Sequence, residues 1–357
     1  MVSGNPETRR PRIGITAGDP SGIGPEITVK TLAHGDVYGR CIPVVLGDTL
    51  VLEDALKVTG RKLRLRRIEE PGEAAGIFGT VEYIESGVIT RKTDYAYGVL
   101  GAKSGEAAFQ YIRLGIDLAL KEEIGAVVTC PINKEAIHLA GYDFAGHTEI
   151  FAHYTHTKNY GMLLSGGTSP GGGLKVIHVT THVSMRRACD LINEDRVYRT
   201  IGLADTALRM MGLERRRIAV AGLNAHASEN GLFGDEEAKS IIPAINRAKA
   251  EGFDVSGPLP PDTVFVKALG GAFDIVVAMY HDQGHIPFKL CGFRMDGATG
   301  LFTRVSGINT TIGLPIIRTS VDHGTAFDKA GKNEASEESL LDALSMAVTM
   351  AGNREKR

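Results

Sequence analysis

The chain has 357 residues, of which 43% are hydrophobic and 23% are charged, a composition that predicts two domains or one large α/β unit. Its 40 basic and 42 acidic residues leave a formal net charge of −2, which argues against nucleic acid or an anionic membrane surface as the main partner. No apolar run approaches transmembrane length, and residues 1–12 have no apolar stretch typical of a signal peptide. We therefore expect a cytoplasmic protein, for which an anionic small molecule remains a possible ligand.

The four cysteines are scattered along the chain, and no two have the short spacing of a zinc knuckle or a redox CxxC pair. They predict buried thiols in a reducing compartment. Their positions are Cys41, Cys130, Cys189 and Cys291.

Short apolar segments alternate with longer amphipathic ones over the whole chain. The apolar segments predict buried strands at Ile13–Ala17, Ile42–Leu46, Ala126–Cys130, Val176–Thr180, Ile218–Leu223 and Ile275–Tyr280. The amphipathic segments predict helices at Lys103–Lys121, Glu194–Met211, Asp235–Ala250 and Glu337–Ala351. This alternation favours an α/β fold with a largely parallel or mixed sheet.

Two glycine-rich stretches, Ser165–Gly173 and Asp296–Gly307, predict loops. No stretch has the composition of a linker, so we expect the chain to cross between two domains more than once. We place the first α/β domain at residues 1–135 and 325–357 and the second at residues 136–324.

Three of the predicted strands end in turns that carry a histidine, at His182, His226 and His281. Ligands of α/β proteins gather at the carboxyl ends of strands, and three neutral imidazoles bind a divalent metal while leaving a coordination position open. Each histidine taken alone is more often a capping or core hydrogen-bonding residue. Their equivalent placement makes a shared metal site a serious alternative.

Two segments of small residues are candidates for nucleotide contacts. Gly18–Glu26 follows the first strand and contains Gly18, Gly22 and Gly24, but its spacing is not GxGxxG. Taken alone, it is more simply a tight turn in which Pro25 begins a helix. The segment His323–Gly331 either lets its backbone approach a nucleotide or serves as a plain connection; its candidate contacts are His323, Gly324, Thr325 and Ala326.

A third group supplies the cations and polar donors that a phosphate or carboxylate needs. Lys289 and Arg318 are its strongest members, because both adjoin or lie within apolar stretches, whereas most surface cations are merely solvated. The group comprises Asn133, Lys134, His147, Thr148, Glu149, Lys289, Asn309 and Arg318.

Seven motifs in this order resemble the 4-hydroxythreonine-4-phosphate dehydrogenase family over nearly the whole chain. They are Gly18–Glu26, Pro131–Glu135, Gly146–Glu149, Thr181–His182, Asn224–Glu229, Tyr280–Lys289 and Gly313–Ala326. A more distant resemblance to isocitrate and isopropylmalate dehydrogenases rests on Gly22–Glu26 and His323–Gly331.

The resemblance implies two α/β domains around a cleft, of the isocitrate/isopropylmalate dehydrogenase type. It also implies a homodimer whose active sites take metal ligands from both chains, with NAD as cofactor. One divalent metal per subunit is expected, and imidazole ligands favour zinc, cobalt or manganese over magnesium. The implied metal ligands are His182, His226 and His281, and the implied substrate-binding residues are His147, Thr148, Lys289, Asn309 and Arg318.

The implied reaction is oxidation and decarboxylation of a four-carbon 4-phosphorylated 3-hydroxy acid. Asp282 and Lys289 are the candidates for catalytic roles, with Asp282 either orienting His281 or acting as a base. Without the resemblance, a metal-dependent aldolase or hydrolase would explain the histidines and the anion-binding group equally well. A phosphosugar sensor would need no metal.

Within the family, Asn230–Glu237 and His281–Lys289 resemble most the branch that acts on 4-phospho-threonate or 4-phospho-erythronate. Two departures leave the substrate open. Ala227-Ser228 resembles the terephthalate dihydrodiol dehydrogenases, although those enzymes lack the His-Thr-Glu found here at residues 147–149. The stretch at residues 294–308 is also longer than the family pattern.

Overall fold

The computed structural model describes residues 10–166, 173–297, 302–305 and 307–355. The strands in chain order are β1 (Arg12–Thr16), β2 (Ile42–Leu46), β3 (Arg64–Arg67), β4 (Thr80–Ile84), β5 (Ala126–Thr129), β6 (Gly161–Gly166), β7 (Leu174–His178), β8 (Ile218–Ala221), β9 (Val255–Leu259), β10 (Ile275–Ala278), β11 (Phe293–Met295), β12 (Phe302–Val305), β13 (Ile308–Ile312) and β14 (Arg318–Val321).

The helices in chain order are α1 (Gly24–Thr31), α2 (Gly35–Arg40), α3 (Thr49–Thr59), α4 (Ala102–Leu120), α5 (Lys134–Leu139), α6 (His147–Tyr154), α7 (Met185–Leu191), α8 (Glu194–Met210), α9 (Ile242–Ala250), α10 (Val264–Leu269), α11 (His281–Gly292) and α12 (Glu338–Glu355). A short 3₁₀ turn spans Pro71–Glu73, a turn with positive φ from His226 onward spans Ala225–Glu229, and a π-helical turn at Glu237–Ile241 precedes α9.

The chain forms two compact units, which we call unit 1 (residues up to Thr155 and from Pro315 onward) and unit 2 (His156–Leu314). The sequence-based division lay after residues 135 and 324. In the structure α6 contacts α4 and β14 pairs with β5, so both α6 and β14 belong to unit 1.

Unit 1 is built on a parallel sheet with the strand order β3-β4-β2-β1-β5-β14. Ile15 lies opposite Val45 on one side and Val128 on the other, and all three are fully buried. Such unbroken apolar runs are typical of strands covered on both faces by helices.

Unit 2 is built on a mixed sheet with the strand order β13-β6-β7-β10-β8-β9. The pairs β13–β6 and β6–β7 are antiparallel, and β7–β10, β10–β8 and β8–β9 are parallel. Because β7, β10 and β8 are parallel neighbours, the residues that follow them emerge at one edge of the sheet.

The predicted fold class, two α/β units with parallel and mixed sheets, is confirmed, and each predicted strand occurs with its ends shifted by at most a few residues. The predicted loop at Asp296–Gly307 is wrong in part, because β12 lies inside it and pairs antiparallel with β11. The predicted loop at Ser165–Gly173 falls mainly outside the described residues.

The prediction of four buried thiols is wrong for Cys189. Cys41 and Cys130 are buried and Cys291 is half-buried, but Cys189 is exposed because α7 buries only Ala188. Within the described ranges, every helix is too short or too polar to span a bilayer.

Candidate active site

Two of the three candidate metal ligands lie together in unit 2. His182 follows β7 and His281 begins α11 after β10, and the centres of their imidazole rings are 5.4 Å apart. The main chain continues the parallel pairing beyond the strands, since Thr180 N–H donates to Met279 O at 3.2 Å. The sheet register therefore places these two side chains as neighbours.

Asp282 contacts His281 directly. His281 Nδ1 lies 2.6 Å from Asp282 Oδ1, and a carboxylate only accepts hydrogen bonds, so Nδ1 carries the proton. This leaves Nε2 as the nitrogen with a lone pair, the arrangement found where a carboxylate orients a metal-bound histidine. The geometry favours the orienting role of Asp282 over its role as a base.

Two further histidines, which the sequence analysis did not single out, join the same group. The His285 ring stacks on His281 with centroids 3.6 Å apart, and the centroids of His178 and His285 are 4.7 Å apart. Burial lowers the pKa of His178 to about 3 and that of His285 to about 4, so both rings are neutral near pH 7. The spacing of four from His281 to His285 on a helix was the available signal.

His226 is held in an unusual turn and does not join this group. Its φ is 52°, and the next residues continue the left-handed conformation through Ala227, Ser228, Glu229 and Asn230. Each such non-glycine residue costs about 1–2 kcal/mol, so the surroundings must hold the turn in place. The His226 ring lies 6.4 Å from the ring of Phe233.

The donor set fits part of a metal site. Among the described residues, no three histidine, cysteine, aspartate or glutamate side chains converge closely enough to hold a metal ion. His182 and His281 supply two imidazoles, and the Asp282 contact leaves His281 Nε2 available. The set is chemically suited to a divalent transition metal, and it requires a third ligand from elsewhere.

Arg318 and His147, two of the candidate substrate-binding residues, lie close together in unit 1. Arg318 is 2% exposed, and its Nη2 and Nε donate to Thr129 Oγ1 at 2.8 and 3.2 Å. Burial lowers its pKa to about 9, against the opposing effect of Glu149, so the guanidinium remains charged at neutral pH. Its positive charge helps to lower the pKa of His147.

His147 is the first residue of α6, and its imidazole bonds the Cys130 main chain. Nε2 is buried and has no hydrogen-bond partner in the portion of the chain described. Burial is the main cause, with Arg318 and Lys134, that holds its pKa well below the usual value. A neutral, unpartnered nitrogen beside two cations fits a ligand oxygen that brings a proton.

The remaining substrate-binding candidates are dispersed. Thr148 follows His147 in α6, and Asn309 lies in β13 opposite Leu164. Lys289 lies within an apolar stretch of the sequence, yet its side chain is exposed on α11, with Nζ 5.2 Å from the Phe293 ring. Helical periodicity turns this residue outward while Phe288 is buried.

The two small-residue segments proposed for nucleotide contacts pack on each other in unit 1. Ile23 N–H donates to Thr325 O at 3.0 Å, and a Cβ on Gly22 would lie 3.0 Å from that same oxygen. Close approaches inside the protein likewise require Gly18 and Gly24, whose added Cβ would meet Pro131 O at 2.5 Å and Ala17 O at 2.3 Å. These three glycines are thus explained by packing alone.

The segment that begins at His323 is different. A Cβ on Gly324 would meet no described atom within 4 Å, so its backbone borders open space. Burial is the main cause that lowers the pKa of His323, and Ala326 has a φ of 42°. An open backbone with small neighbours fits a nucleotide. The segment at residues 18–24 contacts the main chain of Thr325 and so packs against the segment that begins at His323.

Known proteins resemble the chain over almost its full length. Residues 39–347 match the family described as pyridoxal phosphate biosynthetic protein PdxA. A D-threonate 4-phosphate dehydrogenase of Cupriavidus necator is 48% identical, covering 96% of this chain and 98% of its own length. A 4-hydroxythreonine-4-phosphate dehydrogenase of Desulfosudis oleivorans is 45% identical, covering 98% of each chain.

Among solved structures, a 4-hydroxythreonine-4-phosphate dehydrogenase from Burkholderia phymatum superposes with a TM-score of 0.81 at 46% identity, covering 96% of this chain and 98% of its own. The class that these relatives share is that of the dehydrogenases, which are oxidoreductases. The chain belongs to the pyridoxal phosphate biosynthetic protein PdxA family, as its motifs predicted.

Proposed function

We propose that this protein is an NAD-dependent, divalent-metal-dependent dehydrogenase that oxidises and decarboxylates a four-carbon 4-phosphorylated 3-hydroxy acid. The observation that carries the proposal is the similarity, at 45–48% identity over nearly the full length, to relatives named for such substrates. A 4-phospho-D-threonate-type acid is our first candidate and 4-phosphohydroxy-L-threonine our second. The relatives' class sets aside the aldolase, hydrolase and sensor alternatives.

The anion-binding group supports a phosphorylated substrate. The buried guanidinium of Arg318 offers a planar fork of donors that matches a tetrahedral phosphate, and Thr129 Oγ1 fixes its orientation. His147 and Thr148 begin α6, where main-chain N–H groups and the helix dipole add to the attraction. Lys289 and Asn309 are proposed to bind the remaining polar groups of the substrate.

The histidine group supports a metal, which His182 and His281 would hold together with His226 of a second copy of the chain. A divalent ion held there would supply a Lewis acid for the oxidation of the substrate hydroxyl and for the loss of carbon dioxide. Asp282 keeps the His281 imidazole in the required tautomer and orientation. The neutral state of His178 and His285 avoids placing further positive charge beside the cation.

A homodimer would supply the missing ligand. The exposed side of α11 carries large apolar side chains one turn apart, Ile286 at 57% and Leu290 at 72% exposure, and Met295 follows at 61%. Such side chains on the helix that begins with His281 suit an interface with a second copy.

The chemistry that NAD would supply when bound is that of a hydride acceptor for the substrate carbon that bears the hydroxyl. The open backbone around Gly324, together with His323, Thr325 and Ala326, would contact the nucleotide, and residues 18–24 would support that segment. The carboxylate lies two carbons from the oxidised carbon, so the product is a β-keto acid that can lose carbon dioxide.

The test is to follow NADH absorbance with 4-phospho-D-threonate, 4-phospho-D-erythronate and 4-phosphohydroxy-L-threonine, each with and without a metal chelator. We expect NAD reduction with a phosphorylated acid, release of carbon dioxide and loss of both with the chelator. Reduction only with an unphosphorylated cyclic dihydrodiol would contradict the proposal and would make Ala227-Ser228 the better guide to the substrate.

A further inference from the structure

The turn that carries His226 depends on a buried carboxylate. Residues 226–230 are all left-handed, with φ between 45° and 63°, and none of them is glycine. Side chains disfavour this conformation, so the local sequence does not explain why the turn is maintained. A contact from outside the turn has to supply the missing stabilisation.

Glu237 supplies that contact from the π-helical turn before α9. It is 1% exposed, and its Oε1 accepts N–H bonds from Leu223 and Asn224, both at 2.8 Å. Its Oε2 accepts from Asn224 Nδ2 at 2.9 Å. The carboxylate thus accepts hydrogen bonds from both residues, Leu223 and Asn224, that join β8 to the left-handed turn.

The same segment is tied to the strand that leads to His281. Gln283 Nε2 donates to Gly222 O at 2.8 Å, and Met279 N–H donates to Gln283 Oε1 at 2.7 Å. Gly222 itself allows a close approach, since a Cβ there would lie 2.7 Å from Ala227 Cα. The base of the turn is therefore fixed on both sides. Asn224 Nδ2 also donates to Glu236 Oε2 at 2.8 Å, but the main-chain N–H groups of Leu223 and Asn224 both donate to Glu237.

We propose that Glu237 is a positioning residue that holds the left-handed turn so that His226 is presented to a metal ion. This inference rests on the proposed function, in which His226 is a ligand. Glu237 acts through the backbone of Leu223 and Asn224, and it touches neither the metal nor the substrate.

The test compares zinc affinity, measured by competition with a chromophoric chelator, in the wild type and in Glu237→Gln. The amide has nearly the same shape but replaces one acceptor oxygen with a donor, which faces donors in this site. We expect zinc binding to weaken roughly tenfold or more, as for other residues that orient metal ligands. Hydrogen exchange at the Leu223 and Asn224 amides should accelerate.

Glu82→Gln in unit 1 is the matched control. Glu82 is 3% exposed and also accepts main-chain N–H bonds, from Ala75 at 2.9 Å and Gly76 at 2.8 Å. The Glu82→Gln variant should lose thermal stability but keep the zinc affinity of the wild type. Equal loss of zinc affinity in both variants, or wild-type affinity in Glu237→Gln, would overturn the inference while leaving the proposed function intact.

Asn224→Ala provides a second variant should Glu237→Gln not fold, because it removes the Asn224 Nδ2 bonds to Glu237 Oε2 and Glu236 Oε2 and keeps the Glu237 carboxylate. Weaker zinc binding is again expected, and wild-type affinity would overturn the inference. If His226→Ala bound zinc as tightly as the wild type, both the inference and the metal site of the proposed function would be overturned.

Discussion

Arg318 shows how a single side chain combines charge with fixed geometry. Thr129 Oγ1 receives two of its N–H groups, the Phe151 ring lies 5.7 Å from its Cζ, and the charge is buried. A lysine there would lack the planar fork, and burial would lower the pKa of its amine.

We predict that Arg318→Lys raises KM for the phosphorylated acid roughly 10- to 150-fold, the equivalent of losing about 1.5–3 kcal/mol of charged hydrogen bonding. Steady-state kinetics with NAD saturating measures this. Arg40→Lys is the control, because Arg40 pairs with Asp36 at the surface. An unchanged KM in Arg318→Lys would remove this residue from the anion-binding group.

Functional residues were predictable from the sequence where they directly follow a strand that the sequence itself predicts. His182 and His281 come directly after apolar strands, so the sequence indicated their shared edge. His178 was missed because it lies inside a predicted strand, and His285 because no helix was predicted after His281; the structure places them as the last residue of β7 and an interior residue of α11. Their proximity depends on the pairing of β7 with β10.

At the scale of elements, the packing of α4 against α5 depends on a glycine. A Cβ on Gly105 would lie 2.0 Å from Ala136 O. Because this neighbour is a main-chain atom, no side-chain movement can relieve the clash. The two helices therefore approach as closely as they do only because position 105 has no side chain.

We predict that Gly105→Ala destabilises the protein by about 1–3 kcal/mol and lowers Tm by several degrees, measured by thermal unfolding. Gly202→Ala in α8 is the matched comparison. No described atom lies within 4 Å of a Cβ at that position, and alanine is the better helix former by roughly 0.5–1 kcal/mol. Gly202→Ala should raise Tm, and the same fall in both variants would refute the packing explanation.

Elements with strong periodicity were the predictable ones. The strands β1, β2, β5, β8 and β10 are short apolar runs, and α4 and α8 have one apolar face. The left-handed turn at His226 could not be predicted, because Ala227 and Ser228 have no intrinsic preference for that conformation. Glu237, more than ten residues further along the chain, holds the two residues at the start of this segment, and such a contact is not visible in local sequence.

For the whole molecule, the incomplete histidine site is the decisive feature. The described part of one chain brings His182 and His281 together but assembles no three-residue metal group. The resemblance to the family implied ligands from both chains, and we propose that the exposed apolar side chains of α11 contact the second copy. The sequence predicted three histidines as metal ligands, and the described part of the structure brings two of them together without the third.

Subunit mixing tests this division together with the proposed reaction. His182→Ala and His226→Ala should each abolish NAD reduction with 4-phospho-D-threonate as homodimers. If His226 acts in the partner's site, a mixed dimer of the two variants contains one site with all three histidines. When the two variants are co-expressed with different affinity tags, about half of the dimers should be mixed, and each mixed dimer has one intact site of two. The mixture should therefore recover about a quarter of wild-type activity, and a chelator should abolish it. No recovery in purified mixed dimers, with both parent variants inactive, would contradict a metal site shared between two copies of the chain.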